Sequence, residues 1–404
     1  MSKTKFFITY IVFLIGALLY GSLFVAGFLT LRHIVTIIMF AVCLIETKPM
    51  YSDIFQKIFM LFVVCFFFSS FLSGFVAEGM RRIIGYYFVS YVGVYSTMIL
   101  ITKYHGEKVF FYTICIIGLF DAIATFGQLT LSSTINQVVS ALRLDLAIDD
   151  DFESLQESKR FGLGYNMPGI MGIVASSYFL MTASILSLVL QIKRINIIGL
   201  AITVTLLTAC FVVQERSSFY LALAFVVFLL ILISMKRTKQ STRLFSLFIV
   251  VFGICALYIY GLNWIGSFGT RVTELDSMTG RDEIWDNTLE YLGNYPFFAG
   301  YDRMMQIYHK DAHNLIINAY VFGGLFGFFA IIVLLVKQFS LITAVCIKNF
   351  RCINPIILIL ACSYVAYTIN GLVHNHSIVY GTLDVWLLWA AFYGISKREI
   401  PVCH

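Results

Sequence analysis

Apolar stretches long enough to cross a bilayer recur along this chain, each closed by a shorter polar segment. A window of about 20 residues finds twelve of them, near 7–27, 30–46, 55–75, 83–102, 109–131, 167–191, 195–213, 217–235, 244–264, 315–336, 353–373 and 378–396. Arg32 and His33 stand at the start of the second. The first follows Lys3 and Lys5, as the core of a signal peptide would, yet it runs on for the length of a span with no small-residue cleavage site. It is read as a retained helix. The pattern predicts an all-α polytopic membrane protein with about twelve transmembrane helices, forming a single integral membrane domain over residues 1–404. Two long polar loops interrupt it, 132–166 and 265–314. A loop as long as the second is usually functional or disordered, and its aromatics and helix punctuation argue against disorder.

Composition excludes a soluble fold: 60% of the residues are hydrophobic, 12% are charged and the mean hydropathy is +0.88. The nine cysteines carry no ligand spacing and fall mostly inside apolar runs, where a thiol acts as a small hydrophobe. No disulfide framework, zinc site or nucleic-acid partner is expected. The 39 Phe and 23 Tyr suit lipid contact and interface anchoring without marking a site.

Charge changes the picture more. With twelve spans and an inside amino terminus, one side carries 17 Lys and Arg and the other 11, which makes the first cytoplasmic and turns both long loops outward. The inner side has 12 Lys and 5 Arg, whereas the outer side has 2 Lys and 9 Arg. Topology needs only positive charge, but planar, bidentate recognition of phosphate needs arginine. The plainer alternative is that some outer arginines pair with acidic residues of their own loops.

Three outer segments carry candidate chemistry. The first ends in Lys159, Arg160, Phe161, Gly162, Leu163, Gly164, Tyr165, Asn166, Met167 and Pro168. Glycines allow close backbone approach and Pro168 suits a helix start, so amides there could hold an anion beside Arg160; a flexible entry to the next helix fits equally well. The acidic run Asp149, Asp150, Asp151 and Glu153 reads as a solvated face. The second segment is Gln214–Ser218, too short to lift Arg216 clear of the apolar slab, where an ionisable residue is a functional candidate. A local pairing with Glu215 is the structural alternative.

The long loop is the third segment, and it gathers Arg271, Arg281, Arg303, His309 and His313. Thr279 and Asp282 resemble a helix start, Ile284, Trp285, Leu289 and Leu292 a single apolar face, and Gly293, Asn294 and Pro296 a stop. His313 and Asn314 stand at the mouth of the tenth span, whose Gly323, Gly324 and Gly327 permit close packing. His309 and His313 are four apart, a metal-ligand spacing on a helix, with no convincing third ligand. A histidine facing several arginines at a membrane mouth is better placed as a general base.

These segments resemble the bacterial O-antigen polymerase and O-antigen ligase superfamily. The resemblance rests on RFGLGYNMPG at 160–169, QERSS at 214–218, GRDEIWDNTLEYLGNYPFFAGY at 280–301 and HNLIINAYVFGGLFG at 313–327. It covers mainly 160–330, the first 130 residues matching only in hydropathy, and QERSS departs from the more usual Ser-Arg order. It implies a GT-C-like glycosyltransferase of the Gram-negative inner membrane, active on the periplasmic face, with undecaprenyl-pyrophosphate-linked oligosaccharides as donor and acceptor and a chain-length regulator as a further partner. By resemblance Arg216 and Arg281 hold the pyrophosphate, with Arg160 beside them, and His313 activates the attacking hydroxyl. Arg271, Arg303, Asn314, His309 and Asn166 are secondary candidates. No cofactor or metal is expected, since related metal-dependent enzymes carry acidic residues in their first outer loop and Thr30–His33 has none.

Two other functions compete with the polymerase. An O-antigen ligase uses the same chemistry on a lipid A core acceptor. A polysaccharide flippase or other secondary transporter would show internal repeats and a path of buried charges; no convincing repeat is present, and only Asp121 and Asp384 lie clearly within spans. Either aspartate could equally be a hydrogen-bonded structural residue.

Overall fold

Hydropathy sets where the helices run, and capping sets where they stop. The computed structural model describes residues 1–19, 24–26, 29–46, 53–130, 169–193, 196–213, 216–235, 281–309, 311–348, 353–374 and 376–399. The helices are α1 (Lys3–Leu18), α2 (Leu31–Glu46), α3 (Ile54–Ser73), α4 (Val76–Arg82), α5 (Phe88–Thr102), α6 (Glu107–Thr130), α7 (Gly169–Leu186), α8 (Ile197–Val212), α9 (Arg216–Met235), α10 (Arg281–Asn294), α11 (Tyr301–Tyr308), α12 (Leu315–Lys348), α13 (Pro355–Gly371) and α14 (Leu383–Glu399). A π turn, Ile83–Tyr87, joins α4 to α5. Asp53 caps α3 by accepting from Phe55 and Gln56 N–H, and Gly74 ends it in the left-handed conformation at φ 87°. Asn354 caps α13, with Pro355 in its first turn.

Among the described residues, five stretches of helix are long and apolar enough to cross a membrane: Ile54–Ser73, Val76–Thr102, Glu107–Gly127, Val174–Gln191 and Leu315–Ile347. Leu61, Phe71, Phe326, Val336 and Ile347 each leave more than half of their surface open on such helices. Apolar faces of that kind, on backbones whose hydrogen bonds close internally, are made for lipid. The protein is membrane-embedded.

The structure corrects the sequence expectation at two places. The first apolar run is helical only to Leu18; beyond it Phe24–Ala26 and Leu29–Thr30 form a short antiparallel ladder, β1 and β2. In sequence Gly21 precedes this stretch and Gly27 lies between its two strands, and glycine costs a helix about 1 kcal/mol relative to alanine, a penalty that a hydropathy window does not register. The tenth run, expected to end near 336, continues as α12 to Lys348.

The chain forms two compact units, Met1–Phe110 with Thr279–His404, and Phe111–Met278. In the first, α12 packs on α3 with Gly323 and Gly327 against Phe62 and Cys65, the close approach that their lack of a side chain permits. Gly324 kinks α12 at φ 62°, ψ −166°, a conformation that essentially only glycine adopts. A Cβ there would overlap the carbonyl of Phe297. The freed Leu325 N–H donates instead to Pro296 O at 3.2 Å, fastening the loop before α11 to the kink. In the second unit, buried hydroxyls hold the helices together: Ser176 donates to Asp121 at 2.5 Å, and Ser177–Ser218 and Ser187–Thr203 lie at 3.0 and 2.6 Å.

Candidate functional site

The start of α12 is held by α10 and α11, which precede it, and by Leu372 and Tyr380, which follow it. Along α10 the buried side chains are Thr288, Tyr291 and Leu292, with Trp285 half-buried beside them. Leu289, expected on that apolar face, is 56% exposed; the face is centred on the buried Thr288, Tyr291 and Leu292, and at about 100° per residue 289 lies roughly 110° round from that centre. Trp285 Nε1 donates to Ala312 O at 2.8 Å, and Tyr291 Oη to Ala299 O and, at 3.1 Å, to Gly300 O. Burial pushes the Tyr291 hydroxyl up to about 12 against the opposing Arg303 charge, so it stays a donor. These bonds tie α10 to both ends of segment 299–312.

His309 closes α11 in the left-handed conformation at φ 54°, its N–H bonded to Met305 O at 3.0 Å. It therefore shares no helix with His313, and the i, i+4 reading of the pair does not hold. No group of three or more metal-ligating side chains occurs among the described residues.

Asp311, only 5% exposed, gathers four donors. Its Oδ1 accepts from His313 N–H at 2.7 Å and from Asn318 Nδ2 at 3.5 Å; its Oδ2 accepts from Tyr301 Oη at 3.3 Å and from Tyr380 Oη. Burial, then the Asp311 charge, pushes the Tyr301 hydroxyl well above its ordinary range against the effect of Arg82, so this tyrosine also remains a donor. His313 has φ 46°, a left-handed value few side chains adopt. Its ring is 38% exposed, with Nδ1 3.8 Å from Asp311 Oδ1. Asn314 caps α12, accepting from Ile316 and Ile317 N–H at 2.9 and 3.1 Å, while its Nδ2 donates to Leu372 O at 2.9 Å.

Arg82 reaches the same cluster from the last residue of α4. It pairs with Asp302 at 3.0 Å and lies over the rings of Tyr301 and Phe322, at 4.6 and 5.9 Å. Tyr301 thus touches the guanidinium with its ring and Asp311 with its hydroxyl. No protein-family model matches the chain, and no curated protein matches it in sequence.

Of the residues singled out in the sequence, His313, Asn314, His309 and Arg303 can be placed. Arg303 donates to Leu72 O at 3.1 Å and covers the Tyr295 ring at 4.8 Å. Arg281 and Arg216 are the first residues of α10 and α9, in the first and second units, and their side chains fall outside the described residues. Arg160, Asn166 and Arg271 lie outside them altogether. Sequence reasoning missed Arg82, Tyr301, Asp311 and Tyr380. Asp311 alone offered a signal, an acidic residue two before His313; the others meet it from positions far apart in sequence or across α11.

Proposed function

We propose that this chain is a glycosyltransferase of the O-antigen polymerase type. It joins undecaprenyl-pyrophosphate-linked oligosaccharide units on the periplasmic face of a Gram-negative inner membrane, without a metal. The observation that carries this reading is the half-exposed His313, at the start of a membrane helix with a buried carboxylate at its back and Arg82 one aromatic ring away. A lipid pyrophosphate is already an activated leaving group, so the protein need supply only positive charge for the departing oxygens and a base for the attacking hydroxyl. In this scheme His313 takes the proton of the acceptor hydroxyl, whose oxygen bonds to the anomeric carbon as the bond to pyrophosphate breaks. The electron pair leaves on lipid pyrophosphate. Arg281, at the positive end of α10, binds the pyrophosphate.

An apolar groove of about 620 Å³ supports a lipid-linked substrate. It runs between α3 and α12, lined by Leu61, Cys65, Phe68, Phe298, Phe326 and Phe329. Phe326 follows Phe322 across the Gly324 kink, and the Phe322 ring lies 4.2 Å from Tyr301 and beneath Arg82, so an isoprenoid chain in the groove would leave its head group near Arg82.

Purified protein supplied with the host's undecaprenyl-pyrophosphate-linked repeat unit should lengthen the glycan and release undecaprenyl pyrophosphate in equal amount. Transfer only to lipid A core would make it the ligase. Movement of intact substrate across vesicles without new glycosidic bonds would make it a transporter.

A further inference from the structure

A general base gains from a third group that fixes its orientation and tautomer, and His313 has one candidate for that task. We infer that Asp311 is the positioning residue of His313: it holds the backbone through the amide and, with substrate bound, takes the ring Nδ1–H, leaving Nε2 to receive the acceptor's proton. This inference rests on the glycosyltransferase reading above and adds to it the group that sets the histidine.

Three observations carry it. The 2.7 Å bond from His313 N–H to Asp311 Oδ1 spans two residues and stabilises the turn in which His313 adopts φ 46°. The same oxygen lies 3.8 Å from Nδ1, too long for a hydrogen bond, but one that a small ring rotation closes; catalytic hydrogen bonds often tighten only in the substrate complex. The remaining donors on Asp311 are neutral: two tyrosine hydroxyls and the Asn318 amide. Among the described residues no lysine or arginine pairs with it, so its charge is free to act on His313.

The tyrosines explain why this carboxylate holds one geometry. Tyr301 comes from α11 and Tyr380 from the turn before α14, and both hydroxyls meet Oδ2, which turns Oδ1 toward His313. Asn318, one turn into α12, donates to both Oδ1 and the Tyr380 hydroxyl, at 3.5 and 3.1 Å. The carboxylate is thus held on both oxygens before substrate arrives, which is how a positioning group must be built to orient its partner.

Asp311→Asn tests this with little change of shape, since the amide oxygen can still accept from His313 N–H. In full-length protein acting on the undecaprenyl-pyrophosphate-linked repeat unit, kcat should fall about 10- to 100-fold, the usual cost of losing an orienting partner and less than the ~10²- to 10⁴-fold cost of losing the base itself, with KM within about twofold. Tyr380→Phe, which keeps the carboxylate and removes one donor, should lower kcat less and also spare KM. The second readout needs no turnover: in protein labelled with ¹⁵N-histidine, the His313 ring signals, assigned by their loss in His313→Gln, should show the Nδ1–H tautomer. That signature should disappear in Asp311→Asn. Unchanged kcat and ring signals in Asp311→Asn, or a variant that keeps both only in proportion to a lowered melting temperature, would overturn the inference. If wild-type protein shows the Nδ1–H signature but extends no glycan, the positioning stands and the glycosyltransferase reading fails.

Discussion

Two histidine–aspartate pairs lie in the first unit at almost the same separation, and they differ in what surrounds them. His313 and Asp311 are 3.8 Å apart, and the histidine ring is 38% exposed. His376 and Asp384 are 3.7 Å apart, but that ring is only 14% exposed. Asp384 opens the first turn of α14, where a carboxylate suits the positive end of the helix, and Tyr367 donates to it at 2.7 Å. The Tyr367 ring lies 6.0 Å from His376. Distance alone does not separate a reactive pair from a structural one. What separates them is access: the first histidine ring opens to its surroundings, while the second is mostly covered.

The sharpest way to break this comparison is to remove each imidazole. His313→Ala should lower kcat about 10²- to 10⁴-fold, the usual cost of losing a general base, with the protein still folded by gel filtration in detergent. Comparable activity in His313→Ala and wild type would leave the two pairs equivalent and the site elsewhere. Arg281→Lys asks whether the base works beside a bidentate phosphate clamp. Lysine keeps the charge and loses the fork, so transfer should fall about tenfold or more, a charged hydrogen bond being worth ~1.5–3 kcal/mol. Near-normal glycan length at normal protein level would reduce Arg281 to a surface charge.

His313 was visible in the sequence because its neighbours advertise a boundary: a polar loop, a His-Asn step and then an apolar run with three glycines. Those glycines proved to be packing and kink positions, and most of each described apolar run is helical, the exception being the β1–β2 ladder at the end of the first and the start of the second. The network behind the histidine was hidden for a physical reason. Tyr301 and Tyr380 meet Asp311 from the two sides of α12 in sequence, and Arg82 comes from a helix 220 positions before its partner Asp302. Aromatics are so frequent in this chain that none stands out before packing brings it to a carboxylate. The hairpin after α1 was missed because hydropathy measures burial and carries no information about backbone conformation.

The kink at Gly324 gives a smaller effect of a different kind. Gly324→Ala must move the Phe297 carbonyl or straighten α12, and either change costs about 1–3 kcal/mol for a conformation of this type. Thermal unfolding in detergent should report the loss. Because Leu325 holds Pro296 at this point, the damage should spread through the loop that leads into α11 and Tyr301, and activity should fall with it. A variant of normal stability and normal kcat would show that the kink does not support the site.

His376→Gln should have the smallest effect on turnover, and it is the variant that decides whether exposure was the right criterion. Glutamine can still donate toward Asp384, and Tyr367 keeps its own bond to that carboxylate. The expected result is a stability loss of roughly 1 kcal/mol, the net worth of an ordinary hydrogen bond, with kcat changed by less than about threefold, under ~0.7 kcal/mol of barrier. A fall in kcat as deep as that of His313→Ala, at normal stability, would mean that the more buried histidine also takes part in proton transfer. The two pairs would then form one relay, and access to solvent would no longer distinguish them.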